Sequence, residues 1–283
     1  MRVSAPIGSG NAPVAFVTGA SRGIGKACAI HLARAGFDVA CTARSQQEGE
    51  EREHSSTVRK HDSRPLPGSL ATTAADIEAT GRRALTVPAD LLDRAQLEVA
   101  VATVLGEWGH IDLLLNNGRY IGPGHMDRLL DTPLDLLEKH LEANVMAPLA
   151  LTKLVLPQMI ERGRGLVLNM TSDVAWTDPP DAAGSGGWGL GYAISKGALH
   201  RIAGVLAHEI AGTGVSVVNV SPGFVATERI AIDMAEFGFD ASKGASPDLI
   251  GRVVAWLATS GDAAEWNGRT LEAQSRARDL GFA

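Results

Sequence analysis

A tyrosine and a lysine stand four residues apart in Tyr192-Ala193-Ile194-Ser195-Lys196. On a helix that spacing puts both side chains on one face. An unperturbed phenol ionises at about pH 10. A nearby ammonium group and a helix N-terminus both favour the phenolate, so Tyr192 is a candidate general acid/base at neutral pH. Ser172 ends the apolar run Leu166-Val167-Leu168-Asn169-Met170-Thr171. A hydroxyl at the carboxyl end of a strand faces the ligand crevice of an open α/β sheet, where it could hold a carbonyl oxygen beside Tyr192. Strand alternation points Thr171 to the other side. Asn144 falls inside a helical pattern, although asparagine is a poor helix former. Pro148, four residues later, has no N–H, so the Asn144 carbonyl loses its helical partner. A carbonyl freed in this way could hold a water that links Lys196 to solvent.

These residues need a scaffold, and the apolar pattern supplies one. The chain has 283 residues, 45% hydrophobic and 20% charged, which is ordinary globular composition and enough for one large α/β domain. Short apolar runs at Val14–Thr18, Val39–Thr42, Ala84–Pro88, Ile111–Leu115, Leu166–Met170 and Val215–Val220 read as buried strands. Helical periodicity separates them, as from Arg22 to Ala35, from Thr132 toward Ile160, and from Tyr192 to Ala211. Thr132 is the expected cap of the second of these helices, with Pro133 in its first turn. Alternation of this kind predicts a doubly wound parallel sheet covered on both faces. Residues 1–12 read as a flexible tail and 13–283 as a single domain. Two segments break the spacing. Ser45 to Gly68 is charged and contains Pro65 and Pro67, which reads as a solvated surface loop. Residues 226–246 carry Met234, Phe237 and Phe239 among glycines and charges, which suits either a substrate lid or a plain surface helix. Trp176 and Trp188, with those three residues, are the expected apolar wall of a substrate pocket.

Thr18-Gly19-Ala20-Ser21-Arg22-Gly23-Ile24-Gly25 lies where the first strand turns into the first helix. Glycines there permit a tight turn and close approach of backbone to a pyrophosphate. The helix N-terminus adds free N–H groups and partial positive charge. A phosphate-binding loop of the Walker type would need Ser or Thr at Ala27, and no Gly-x-Ser-x-Gly elbow occurs. The scattered histidines predict no metal site. At the end of the second strand, where a carboxylate would select the ribose 2′-hydroxyl of NAD, stand Ala43 and Arg44. With Arg22 in the glycine turn, two guanidiniums favour a 2′-phosphate, so NADP(H) is expected over NAD(H). Asp90-Leu91 could reach the adenine, and Asn116-Asn117-Gly118 could line the cofactor cleft.

A net charge of −6 argues against nucleic acid as a partner. No apolar run reaches the roughly 20 residues of a membrane span. Cys28 and Cys41 form no disulfide framework and read as inert buried thiols. The cytoplasm is the expected compartment.

Taken in order, these residues resemble the short-chain dehydrogenase/reductase family: the turn from Thr18 to Gly25, Asn116-Asn117, Asn144, Ser172, Tyr192, Lys196, and Pro222-Gly223 followed by Thr227. The resemblance implies a Rossmann-like sheet of about seven strands. It implies hydride transfer between nicotinamide and a carbonyl or alcohol substrate while Tyr192 moves the proton. It assigns Asn144, Ser172, Tyr192 and Lys196 to catalysis. It gives Lys196 the nicotinamide ribose as well, and places Pro222, Gly223, Val225 and Thr227 at the nicotinamide end. It implies homo-oligomers, tetramers or dimers, paired through the two helices that carry Asn144 and Tyr192. The chain departs from the family pattern at Gly118-Arg119, where Ala-Gly is usual, and in the long Ser172 to Tyr192 interval. The Ser45 to Gly68 insertion resembles one in the hydroxysteroid-dehydrogenase-like branch and hints at lipid or steroid substrates. Two functional classes stand at this point: an apolar-carbonyl oxidoreductase, and a catalytically silent NADPH-binding sensor.

Overall fold

In the computed structural model, residues 12–282 are described; the expected N-terminal tail lies outside them except for Ala12. Seven parallel strands form one sheet in the order β3-β2-β1-β4-β5-β6-β7. They are β1 Val14–Thr18, β2 Asp38–Thr42, β3 Ala84–Thr86, β4 Leu113–Asn116, β5 Gly165–Met170, β6 Val215–Ser221 and β7 Thr270–Glu272. Strands β1, β2 and β4 are buried along their whole length. Burial on both faces is why their sequences run continuously apolar instead of alternating. The doubly wound architecture and the strand count agree with expectation.

Helices cover both faces. On one side α1 (Gly23–Arg34), α2 (Leu70–Glu78), α8 (Pro247–Thr259) and α9 (Ala273–Asp279) pack around Leu32, Leu70, Leu113, Leu115 and Ile250. On the other side α3 (Arg94–Trp108), α5 (Ala147–Glu161) and α6 (Leu190–Glu209) enclose Phe16, Leu97, Leu114 and Leu151. α5 continues a shorter helix, α4 (Leu134–Leu141), through a π-helical turn over Glu142–Met146. Pro148 removes one donor, and the Ala147 N–H bonds back to Glu142, so the chain takes an extra residue into that turn. The helix is thus irregular around Asn144, where Pro148 is expected to perturb it, but it continues through the π-helical turn. Thr132 does not cap α4: Pro133 occupies the cap position, and the Thr132 hydroxyl donates to the Arg128 carbonyl instead. The combined helix Leu134–Glu161 is long and apolar enough to cross a membrane, yet half of its apolar window is buried inside the molecule, as in a core helix.

Strand order reverses between β1 and β4, and in such sheets ligands bind outside the carboxyl ends of the strands at that point. The glycine turn, Arg44, Asn117, Tyr192 and Lys196 line a cleft at this edge. One polar ladder runs beneath it. Asn116, Asn169 and Asn219 stand in register on β4, β5 and β6. Asn116 donates to Asn169 at 3.0 Å, and Asn219 donates to the His200 carbonyl at 2.7 Å.

Both cysteines are buried. Burial pushes the Cys41 thiol up to about 12 and Cys28 higher still, so both are inert at neutral pH.

Candidate active site

The glycine turn is shaped by close contact. Gly19 and Gly23 have φ of 66° and 55°, in the left-handed region. A Cβ at Gly25 would lie 2.2 Å from the Gly19 carbonyl oxygen, and one at Gly19 would lie 2.7 Å from Gly118 Cα. The turn is thus pressed against the end of β4. Thr18 and Asn117 fasten it there. The Thr18 hydroxyl accepts from the N–H groups of Asn117 and Gly118, and Asn117 Nδ2 donates to the Thr18 carbonyl at 2.9 Å. Helix α1 begins at Gly23 with no side-chain cap on its N-terminus. Gly23, Ile24 and Gly25 of its first turn line the cleft, where uncapped N–H groups suit an anion. These residues fit a dinucleotide pyrophosphate.

Gly19, Ser21, Gly23, Ile24 and Gly25 line a single cleft together with Tyr192 and Lys196. Arg44, Asp90, Leu91, Asn117, Gly118, Pro222 and Thr227 line the same cleft. Arg44 Nη1 stands 4.0 Å from the Asp90 carboxylate.

Several expected residues do other work. Thr18 is a clip, as above. Asn116 belongs to the asparagine ladder beneath the site and does not line the cleft. Val225 is buried in a bridge to Ala245. Gly223 forms a turn that Gln274 of α9 clamps by donating to the Pro222 and Phe224 carbonyls, each at 2.9 Å. Thr227 caps α7 (Glu228–Asp233). Arg22 lines the cleft, but its guanidinium donates to the Pro67 carbonyl at 2.9 Å and the Gly68 carbonyl at 2.7 Å. It braces the 45–68 insertion.

That insertion is not the solvated loop its composition suggests. His54, Ser55, Ser56, Thr57 and Leu66 are buried. Arg52, His54 and Arg64 of this segment line the cleft. Arg229 of α7 donates to the Ser56 hydroxyl at 2.6 Å and to the His54 carbonyl. Asp127 accepts from the Thr57 hydroxyl, the Val58 N–H and the Gly124 N–H. Backbone and hydroxyl contacts bury a polar segment here, and composition does not reveal such contacts.

The expected aromatic wall is absent from the cleft lining. Trp176 is exposed and meets His200 at a tilt of 50°, ring centres 4.8 Å apart. Met234 is buried, and its sulfur accepts from the Ser56 hydroxyl. Phe239 packs near Phe224, and neither Phe237 nor Trp188 faces the cleft. Residues 226–246 form α7 and short 3₁₀ turns that dock on the insertion. Around Tyr192 the lining is instead Arg119, Tyr120, Ile121, Met170 and Thr171.

Lys196 is buried and donates to the Met170 carbonyl at 2.7 Å. Burial, then the Arg119 charge, lowers its ammonium to about 7. Its nitrogen lies 6.0 Å from the Tyr192 ring centre. Asn144 is buried; its Oδ1 accepts from the Tyr120 N–H at 2.6 Å and its Nδ2 donates to the Ser195 hydroxyl at 2.9 Å. Its side chain thereby ties the segment after β4 to α6, a role beyond the carbonyl that sequence reasoning emphasised. The Ser172 hydroxyl donates to Asp173 and caps a 3₁₀ turn, and Ser172 does not line the cleft, whereas Thr171 does.

Two residues missed by sequence reasoning complete the site. The His125 ring lies 4.4 Å from the Tyr192 ring, and Arg119 Cζ lies 5.5 Å from the same ring centre. Arg119 Nη1 reaches the Tyr120 carbonyl at 3.0 Å and His125 Nδ1 at 3.3 Å. The unusual Gly118-Arg119 pair was the available signal. Among the described residues, no cluster of three metal-ligating side chains occurs.

Fold and glycine turn together define a doubly wound dinucleotide-binding domain. The sequence model for short chain dehydrogenase matches residues 13–62 and 64–232. The chain belongs to that family, whose fold implies a nicotinamide cofactor. It is similar to a short chain dehydrogenase of Pseudocercospora fijiensis, 35% identical over 78% of this chain and 62% of that one. It is similar also to a 3-oxoacyl-[acyl-carrier-protein] reductase of Synechocystis, 28% identical over 92% of this chain and 94% of that one. Among solved structures, the fold matches a 3-oxoacyl-[acyl-carrier protein] reductase from Brucella melitensis in complex with NAD, with a TM-score of 0.75, 24% identity, and coverage of 94% and 96%. The chain spans about three fifths of the length of several curated relatives that it matches.

Proposed function

We propose that this protein is an NADP(H)-dependent oxidoreductase that interconverts a carbonyl and an alcohol, with Tyr192 as general acid/base. One observation carries the reading: the phosphate cradle and the Tyr192–Lys196 pair wall the same cleft. When bound, the nicotinamide supplies the hydride. Gly19 to Gly25 would hold the pyrophosphate, and Arg44, at the end of β2 with no carboxylate at Ala43, a 2′-phosphate. Tyr192 gives a proton to the carbonyl oxygen in reduction and takes it back in oxidation. Lys196, anchored on Met170, replenishes that proton. Ser172 would turn from Asp173 to hold the substrate oxygen. Tyr120, Ile121 and Met170 offer an apolar seat for the body of a ketone, lipid or steroid-like substrate. Assembly as a homo-oligomer through α5 and α6 belongs to the same reading.

The test is NADPH consumption across ketones, aldehydes, quinones and steroids, with NADPH and NADH affinities measured in parallel. Turnover is expected with NADPH. Arg44→Ala should weaken NADPH about tenfold to a hundredfold, the worth of ~1.5–3 kcal/mol for hydrogen bonds to a charged group, and leave NADH unchanged. Equal affinities of the wild type for both cofactors would overturn the preference. Tight NADPH binding with no turnover of any carbonyl would overturn the activity.

A further inference from the structure

Where the family pattern has Ala-Gly, Gly118-Arg119 sets a guanidinium in the wall of the cleft. The backbone of Arg119 is pinned on both sides. The Gly118 N–H donates to the Thr18 hydroxyl at 2.8 Å, and a Cβ at Gly118 would lie 2.9 Å from Leu91 Cδ1. The Tyr120 N–H donates to Asn144 Oδ1 at 2.6 Å. The side chain is braced as well: Nη1 donates to the Tyr120 carbonyl at 3.0 Å and meets His125 Nδ1 at 3.3 Å. The segment carrying His125 is fixed in turn to the start of α6. There the Gly189 N–H donates to the His125 carbonyl at 2.8 Å, and a Cβ at Gly189 would lie within 3.0 Å of the carbonyls of Gly124, His125 and Asp127. Arg119 Cζ is thus held 5.5 Å from the Tyr192 ring centre by the fold itself. Neither bracing contact cancels its charge. One partner is a carbonyl, and burial, then the charges of neighbouring arginines, keeps His125 neutral.

We propose that Arg119 binds a carboxylate of the substrate, so that the substrates are oxo acids with an apolar chain, or the matching hydroxy acids in the oxidative direction. The inference rests on the reading of Tyr192 as the acid/base and names the substrate class for that same site. Tyr120, Ile121 and Met170 line the cleft with Arg119 and Tyr192. A rigid cation beside apolar side chains suits the charged head of an otherwise apolar molecule. One guanidinium fork matches one carboxylate through two parallel N–H···O bonds. Gripping the carboxylate fixes one end of the chain and orients the carbonyl toward the Tyr192 hydroxyl. The charge of the cleft agrees: its lining holds seven Lys and Arg side chains against four Asp and Glu, in a chain of net charge −6. Arg44 is assigned to a cofactor phosphate and Arg22 braces the insertion, whereas Arg119 stands beside Tyr192.

The test compares straight-chain oxo acids of medium length with their methyl esters, using the full-length protein. The esters keep the ketone and the chain and lose the charge. Wild type should favour the acids by about tenfold to a hundredfold in kcat/KM, the worth of hydrogen bonds to a charged group. Arg119→Gln and Arg119→Met should abolish that preference, chiefly through KM for the acids, and Arg119→Lys should restore part of it. If one neutral variant fails to fold, the other carries the comparison. A purely structural role for Arg119 would lower acids and esters alike and leave their ratio intact, which overturns the proposal. A wild type that favours the esters, or treats both alike, overturns it too. Calorimetry separates this result from the activity. Loaded with whichever of NADPH and NADH it binds more tightly, wild type should bind octanoate about tenfold or more tightly over octanamide, and Arg119→Gln should bind the two equally. Equal binding in the wild type, or binding of neither, overturns Arg119 as the carboxylate site. An octanoate preference without turnover of any carbonyl counts against the proposed activity and not against Arg119.

Discussion

His140 is fully buried with no hydrogen-bond partner on either ring nitrogen, and it meets Tyr120 edge to face at 4.8 Å. Burial lowers it from 6.5 to about 4, and His125 is lowered by the same cause. A histidine lowered on folding binds its proton first in the unfolded chain. Its stabilising effect is therefore complete above pH 6.5 and drains away as pH falls toward 4. For His140 the loss is on the order of 3 kcal/mol by pH 4. Urea unfolding at a series of pH values should show stability falling across this window, and His140→Phe should flatten the fall. Equal pH dependence in the two proteins would contradict the assignment. At this scale the sequence was informative where a residue type has one use. Tyr192, Lys196 and the glycines line the cleft as read. It was silent where burial decides the role: Asn116 offers the same amide to a cofactor or to a ladder, and only the register of β4 on β5 selects the ladder.

Among the elements, the insertion and α7 matter most to the cleft. Asp127 accepts from two donors of the insertion, Thr57 and Val58, and from the Gly124 N–H, while Arg22 holds the insertion at Gly68 and Arg229 holds it at His54 and Ser56. Asp127→Ala should strand those buried donors and cost on the order of 3 kcal/mol. Proteolysis within 46–67 should accelerate with it. Unchanged unfolding and unchanged cleavage would show that the insertion is held by other contacts. The strands were legible because double burial writes itself as unbroken apolar runs. The course of the insertion was not, because carbonyls, serines and threonines bury it, and those look the same in a solvated loop. The misplaced aromatic wall has a related cause. Residue type gives Trp176 and Phe237 no direction, and the segments carrying them pack elsewhere.

At the scale of the whole molecule, one sheet and two helical layers bring residues from Gly19 to Thr227 to a single edge. The outer faces of α5 and α6 keep Leu154, Ile160, Ile194 and Val205 exposed, Val205 at 51%. Apolar side chains exposed on both helices favour self-association. Sedimentation should show a homo-oligomer, and Val205→Arg should shift it toward monomer. A wild type that stays monomeric at all concentrations would contradict this. The central claim is that the cradle and Tyr192 form one active site. Tyr192→Phe tests it most directly, by measuring NADPH affinity and carbonyl turnover on the same preparation. Intact NADPH binding with turnover reduced about 10²- to 10⁴-fold, the usual worth of a general acid/base, is the expected result. Turnover that survives the substitution would contradict it.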